Sequence, residues 1–192
     1  MSALGKLSAS DAIAEHAALL GRVEELLPRV DDVVRRLVEA FGAGGRVYTF
    51  GNGGSSADAA HFAEELVGRY KRERRPLPAQ SLAVDASALT CIANDYSYDE
   101  VFERQVRGFV GAGDVVIGFS TSGRSPNVVR GLAAARELEA STVLFGGGDG
   151  GPAAEHADVA LVVPSESTAR VQELHVLLLH LILEQVDEWA AQ

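Results

Sequence analysis

The chain has 192 residues, 47% of them hydrophobic, so it is long enough to bury a full core, and its length favours a single domain. Its formal charge of −10 argues against a surface that neutralises nucleic-acid phosphates or lies on anionic lipid. Cys91 is the only cysteine, which excludes an intrachain disulfide and a metal cluster built from cysteines. Residues 1–40 lack the apolar stretch of a signal peptide, and no later run has the length of a membrane span. We therefore expect a cytoplasmic protein that binds neither nucleic acid nor membrane.

The first region of regular structure is an amphipathic helical stretch over residues 10–41, where apolar residues recur every three or four positions. Pro28 is expected to break or kink it, and the glycines of residues 42–45 to end it. Short apolar strands then alternate with helices. We expect strands at residues 47–50, 81–84, 115–119, 142–145 and 159–163, and helices at 57–70, 86–93, 99–110, 127–139 and 168–190.

This alternation predicts an α/β fold with right-handed crossovers and helices on both faces of one sheet. The expected architecture is a three-layer α-β-α sandwich with a five-stranded parallel sheet, flavodoxin-like or Rossmann-like, preceded by N-terminal helices. Because no internal repeat or low-complexity linker is present, we expect one domain over residues 1–192, with a helical region at 1–44 and an α/β core at 45–192. Ligands of such sheets bind beyond the carboxyl ends of the strands.

Two polar loops, residues 51–56 (GNGGSS) and 120–125 (STSGRS), each lie between a predicted strand and a predicted helix. Free N–H groups at the start of a helix favour a phosphate. The first loop lacks the Lys-Ser/Thr ending of a P-loop, and Ser56 replaces the third glycine of a dinucleotide fingerprint. A tight turn would explain its glycines, and helix capping would explain Ser125, but three further hydroxyls in the second loop need another reason. The loops predict a phosphorylated substrate.

Candidate chemical groups lie on two of the predicted helices. His61 and Glu65 are four residues apart, so they lie one turn apart on the same side of a helix; a solvated surface pair is the alternative. Asp58 nearby suggests that this helix has an ordinary polar face. On the last helix, three polar residues interrupt a strongly apolar stretch: Gln172, His175 and His180. A histidine among leucines is either hydrogen-bonded in the core or placed for chemistry.

An ordered set of motifs extends from the first loop to the C-terminal helix. Its members are Gly51-Asn52-Gly53-Gly54-Ser55, His61, Glu65, Asn94-Asp95, Ser120-Thr121-Ser122, Ser125, Asp149-Gly150-Gly151, and Gln172-Glu173 with His180. In order and spacing, this set resembles the phosphoheptose isomerases, the sedoheptulose 7-phosphate isomerase branch of the sugar isomerase (SIS) domain superfamily. The resemblance extends from about Gly45 to the C terminus and implies a SIS domain.

The resemblance also implies an activity, the conversion of sedoheptulose 7-phosphate to D-glycero-D-manno-heptose 7-phosphate, and roles for particular residues. The sugar phosphate would be bound by Asn52, Gly53, Gly54, Ser55, Glu65, Asn94, Asp95, Ser120, Thr121, Ser122, Ser125 and Gln172. One Zn²⁺ per subunit would be bound by His61, Glu65, Gln172 and His180, an N/O donor set that suits this metal. Glu65 and His180 match the acid/base pair of the family. A ketose becomes an aldose through an enediol, so one group removes a carbon-bound proton while another protonates the neighbouring oxygen.

Gln172 and His180 are eight residues apart, which on a continuous helix means about 12 Å of rise and roughly 80° of rotation. One helix would hardly bring both to one ion. Either the helix begins after Gln172, or neighbouring copies of the chain contribute different ligands. The second explanation agrees with the habit of the resembled family, which forms homotetramers with active sites between subunits.

Two other functions are compatible with the resemblance. One relative with the same fold is an adaptor that binds the replication initiator protein DnaA, and it lacks the glutamate and histidine that this chain keeps as Glu65 and His180. A sugar-phosphate sensor usually needs an attached DNA-binding domain, for which this length has no room. The chain departs from the resembled family at Gly146-Gly147-Gly148, where Leu-Thr-Gly is common, and this leaves the exact sugar open.

Overall fold

The computed structural model describes residues 8–192. It begins with two helices, α1 (Ala9–Val23) and α2 (Leu27–Gly42), joined by a 3-10 turn at Glu24–Leu26. Ser8 caps α1, because its hydroxyl accepts the N–H of Asp11 while the Asp11 carboxylate accepts the N–H of Ser8. Pro28 lies in the first turn of α2, where its missing N–H breaks no helical hydrogen bond. The interruption predicted near Pro28 is confirmed.

Strands and helices alternate through the rest of the chain. They are β1 (Val47–Gly51), α3 (Gly54–Val67), β2 (Ala79–Ser81), α4 (Ala86–Asp95), α5 (Val101–Phe109), β3 (Val115–Ser120), α6 (Pro126–Glu137), β4 (Ser141–Gly147), β5 (Val159–Val163) and α7 (Thr168–Ala190). All strand pairs are parallel, and the spatial order is β2-β1-β3-β4-β5. The direction of winding changes between β1 and β3, so the loops that leave these two strands diverge and open a crevice.

Apolar side chains cover both faces of the sheet. One face carries Ile117, Phe119 and Phe145, which pack against buried residues of α2, α3 and α7. The other face carries Phe50 and Leu144, which pack against α5 and α6. Because alternate strand residues point to opposite faces, each central strand supplies both cores. The predicted α/β class with a five-stranded parallel sheet is confirmed, and the helices enclose the sheet in three layers.

Most of the predicted elements lie within a few residues of their observed positions; α3 begins and ends three residues earlier than predicted, and β2 is also displaced. The apolar run at 81–84 predicted this strand, whereas the ladder with β1 lies at Ala79–Ser81. Leu82 is fully buried just after the strand, while Val84 is 62% exposed. Since β2 pairs with β1 alone at the edge of the sheet, backbone pairing sets its position and the apolar residues lie beyond it.

The last helix, α7, has 23 residues and packs against α2 and α3. It is regular from Thr168 to Ala190, as predicted. Within residues 8–192, none of the helices combines the length and apolar character needed to cross a bilayer.

Candidate active site

The loop after β1 crosses the carboxyl edge of the sheet into α3. Gly53 lies before α3 with φ +57°, a conformation that glycine adopts without strain. Asn52 and Asn127 exchange two side-chain amide hydrogen bonds of 2.8 and 2.9 Å, and the Tyr98 hydroxyl donates to Asn52 Oδ1 over 2.9 Å. Asn127 is buried in the first turn of α6. These bonds therefore hold the first loop against the helix that follows the second loop.

Hydroxyl groups line the second loop, between β3 and α6. The Ser120 hydroxyl accepts the N–H of Gly123 over 3.1 Å, and the Ser122 hydroxyl accepts the N–H of Arg124 over 3.2 Å. Ser125 immediately precedes α6, but its side chain makes no capping hydrogen bond. Capping therefore does not account for Ser125, and its hydroxyl is available to a ligand.

The glycine-rich loop after β4 packs directly on the serine loop. Gly123 has φ +62°, and a Cβ there would clash with the carbonyl oxygen of Gly150. A Cβ on Gly147 would clash with the carbonyl oxygen of Thr121. Such close backbone approach requires glycine, so these residues set the shape of the hydroxyl-lined loop. At the exposed rim, the Arg124 guanidinium pairs with the Asp149 carboxylate over 2.6 Å.

Three side chains converge between the later turns of α3 and the middle of α7. His61, Glu65 and His180 each offer one ligand atom, and these atoms all lie within 4.8 Å of one another. His61 Nε2 is 3.5 Å from Glu65 Oε1, and the His61 and His180 rings meet edge to face at 5.2 Å between centroids. Tyr70 stacks on His180 with a centroid distance of 5.7 Å. The Glu65 side chain is only 17% exposed, so the pair with His61 is more than a solvated surface contact.

Burial controls the charge of two groups around this cluster. Desolvation, helped by the nearby His61, lowers the pKa of His180 and so favours its neutral ring. Desolvation also raises the pKa of Asp58 to about 6. Among residues 8–192, Asp58 Oδ2 is buried without a hydrogen-bond partner. The expectation that Asp58 belongs to an ordinary polar face of α3 is wrong.

His175 is the hydrogen-bonded core histidine that the sequence left as an alternative. It is fully buried, its ring packs edge-on against Phe145, and its Nε2 is 3.0 Å from the carbonyl oxygen of Gly146. Burial lowers the pKa of His175 to about 4, so the ring is neutral and Nε2–H is the donor. This bond joins the middle of α7 to the end of β4.

The converging cluster fits a zinc ion by its chemistry. Two imidazoles and one carboxylate are the donors of many catalytic zinc sites, which keep a further position for water or substrate. Tetrahedral zinc spaces its ligand atoms about 3.4 Å apart, so donor atoms within 4.8 Å of one another would meet around an ion after small side-chain movements.

Gln172 lies at a different place from the other predicted ligands. Its side-chain amide lies against Gly54, where an added Cβ would clash with it, at the start of α3. His61 follows seven residues later, about 10 Å along the helix. Because α7 is regular from Thr168 onward, the explanation that the helix begins after Gln172 is wrong. Within one chain, Gln172 lies near the first loop, away from the His61 cluster.

The SIS domain family model matches residues 13–147. A phosphoheptose isomerase of Aquifex aeolicus is 47% identical over 173 residues, which cover 90% of this chain and 91% of that protein. The solved phosphoheptose isomerase of Neisseria gonorrhoeae has 39% identity and a TM-score of 0.88 over 93% of this chain and 96% of that one. That of Francisella tularensis has 29% identity and a TM-score of 0.85, covering 95% and 100% of the two chains.

The chain belongs to the phosphoheptose isomerase family of SIS-domain enzymes. The resemblance drawn from the motifs is confirmed, as is the SIS fold. The two polar loops, residues 51–56 and 120–125, lie side by side at the carboxyl edge of the sheet. Asn94 and Asp95 are exposed at the end of α4, where the Asn94 amide donates to Asp95 Oδ1. Within residues 8–192, neither side chain forms a hydrogen bond with the two loops, whereas Tyr98, a few residues later, reaches Asn52.

The sequence did not predict three residues that support the candidate active site. Asn127 supports the first loop, Tyr70 stacks on His180, and Asp58 is buried on the helix that carries His61. For Asn127 the sequence held a weak signal, an amide just inside a helix that follows a phosphate loop. Tyr70 and Asp58 gave no signal, because their positions depend on how α3, α7 and the loop after α3 pack.

Proposed function

We propose that the chain converts sedoheptulose 7-phosphate to D-glycero-D-manno-heptose 7-phosphate, as one SIS domain, with Glu65 and His180 as its acid/base pair. Close relatives named phosphoheptose isomerase support a sugar-phosphate isomerase. The observation that carries the assignment of residues is the meeting of Glu65 and His180, which are far apart in the chain, with His61. The similar proteins give no support to the adaptor that binds DnaA.

The phosphate of the substrate would bind at the hydroxyl-lined loop. The Ser125 hydroxyl, which caps no helix, and the Thr121 side chain are available there, beside the start of α6. A helix N-terminus supplies N–H donors and a positive dipole to an anion. The first loop, with Asn52, Gly53 and Gly54, would contact the other side of the sugar phosphate. Since Glu65 lies eleven residues after Gly54, about 16 Å along α3, the opposite end of the sugar would reach the acid/base pair of a neighbouring copy.

Glu65 would act as the base on the sugar carbons. Its carboxylate removes the proton from C1 of the ketose while the oxygen on C2 gains one from His180, which gives the enediol. The hydroxyl on C1 then returns a proton to His180, and Glu65 delivers its proton to C2, which yields the aldose. Both groups end in their starting states, so the reaction consumes no other reagent.

Zn²⁺ would be bound by His61, Glu65 and His180, with Gln172 completing the set, and when bound it would polarise the sugar oxygens. Since Gln172 of one chain lies against its own Gly54, we propose that the fourth ligand comes from a neighbouring copy in a homotetramer. The exposed apolar residues Ile13 and Leu20 of α1 are available for such contacts.

The direct test is incubation of the purified protein with sedoheptulose 7-phosphate and identification of the product by NMR. Glu65→Gln and His180→Gln should lose turnover by about 10²–10⁴-fold while keeping the fold. Glu64→Gln, which removes an exposed carboxylate from the same helix, should retain turnover. Turnover that survives in both site variants would contradict the assigned roles, and no turnover in the wild type would contradict the substrate.

A further inference from the structure

A stripe of polar positions lies along one side of α3. With 100° between successive residues, Gly54, Asp58, His61 and Glu65 fall within an arc of about 60°. Gly54 contacts Gln172, and His61 and Glu65 meet His180, so the stripe faces α7 at both of its ends. Asp58 therefore lies between the first loop and the His61 cluster, on the side of α3 that packs against α7.

Asp58 is unusual on this stripe because its charge has no partner. The residue is 9% exposed, and its Oδ2 accepts no hydrogen bond within residues 8–192. An unpaired buried carboxylate costs stability, so packing alone gives no reason for an acid at this position. Asp58 is also outside the group whose ligand atoms converge, which consists of His61, Glu65 and His180.

His61, one turn later on the same stripe, is the candidate partner for Asp58. Its Nε2 points toward Glu65 and the cluster, 3.5 Å from Glu65 Oε1, which leaves Nδ1 on the other side of the ring. Helical side chains lean toward the N-terminus, and Asp58 lies one turn before His61 on that side. An imidazole that binds a metal through one nitrogen normally donates the other N–H to a carboxylate or carbonyl, which fixes its tautomer and orientation.

We propose that Asp58 is a positioning residue that accepts a hydrogen bond from the Nδ1–H of His61 and so holds Nε2 of His61 toward a bound Zn²⁺. This inference rests on the proposed metal site. It assigns to Asp58 a purpose that neither packing nor direct ligation supplies. It also predicts that the unpaired Asp58 carboxylate lowers the stability of the apo protein, and that metal binding removes this destabilisation.

The test measures zinc affinity and apo stability separately. Wild type, Asp58→Asn, Asp58→Ala and the control Glu64→Gln are stripped of metal, and the Kd for Zn²⁺ is measured by competition with a chromophoric chelator. We expect Asp58→Ala to weaken zinc binding by about 10–100-fold and Asp58→Asn by less, since an amide oxygen is a weaker, neutral acceptor. Glu64→Gln should bind zinc as the wild type does. In urea, apo Asp58→Asn should be at least as stable as apo wild type.

The outcomes separate the inference from the function on which it rests. Wild-type affinity in both Asp58 variants would overturn the inference while the metal site stands. A loss of zinc affinity matched by an equal loss of apo stability would show a structural role and also overturn it. If the wild type binds no zinc, the metal site and this inference both fail. If that protein still turned over the sugar phosphate, the proposed reaction would stand even though the metal site and the role of Asp58 had failed.

Discussion

The buried His175 should make the protein acid-sensitive in a defined range of pH. Burial lowers the pKa of His175 from 6.5 to about 4. Between pH 6.5 and pH 4, His175 is therefore protonated in the unfolded chain but not in the folded chain. The free energy of unfolding therefore falls as pH drops from about 6.5 to about 4. This difference in pKa between the folded and unfolded states corresponds to roughly 3 kcal/mol in the free energy of unfolding. Above pH 6.5 the group is neutral in both states and contributes no slope.

Urea denaturation of wild type and His175→Gln, at intervals from pH 4 to pH 7.5, measures this contribution. At pH 7.5 the variant should be less stable than wild type, because it loses packing against Phe145 and disturbs the bond to Gly146. As pH falls, the gap should close by roughly 3 kcal/mol, because the variant has no group there to protonate. His156→Gln, which replaces a partly exposed histidine, is the control variant. Parallel curves for wild type and His175→Gln would refute the reasoning.

Three further predictions concern the site and its support. Gly123→Ala should raise KM for the sugar phosphate more than it lowers kcat, since its Cβ clashes with the loop after β4; Gly108→Ala, with open space around it, is the control for steady-state kinetics. Asp187→Asn should lower the free energy of unfolding, measured by urea denaturation, by about 3–5 kcal/mol, because it leaves the charge of the buried Arg74 unpaired. Mixing refolded Gln172→Ala and His180→Gln chains should restore activity at about a quarter of the sites if two chains share each site, and no recovery would place all ligands in one chain.

The order of strands and helices was predictable because the physical signals for it are local. Strands β1, β3 and β4 are buried on both faces, and such strands appear in the sequence as short, nearly continuous apolar runs. Glycines and polar residues then end each run. β2 was misplaced because it has one neighbour at the sheet edge, so that hydrogen bonding to β1 determined its position more than its apolar residues did.

The loops of the candidate site were predictable for a similar reason. A loop rich in glycine or hydroxyl groups between a strand and a helix needs no tertiary information to be recognised as a candidate site for an anion. The structure added the reason for the glycines, since Gly123 and Gly147 admit neighbouring backbones where a side chain would clash. It also removed the competing explanation for Ser125 by showing that this side chain makes no cap.

The supporting residues were not predictable, because their environment is made by elements distant in sequence. An aspartate three residues before a histidine on a helix is ordinary in the sequence, and only the packing of α7 on α3 buries Asp58 and leaves its oxygen without a partner. Tyr70 likewise acquires its place beside His180 from the path of the loop after α3. That loop is held by Arg74, which pairs with Asp187 of α7 and donates to the carbonyl oxygen of Glu65. Arg74 thus supports both Tyr70 and the backbone of Glu65, the proposed base. The geometry of the proposed acid/base pair therefore depends on contacts that cannot be inferred from the positions of Glu65 and His180 in the sequence.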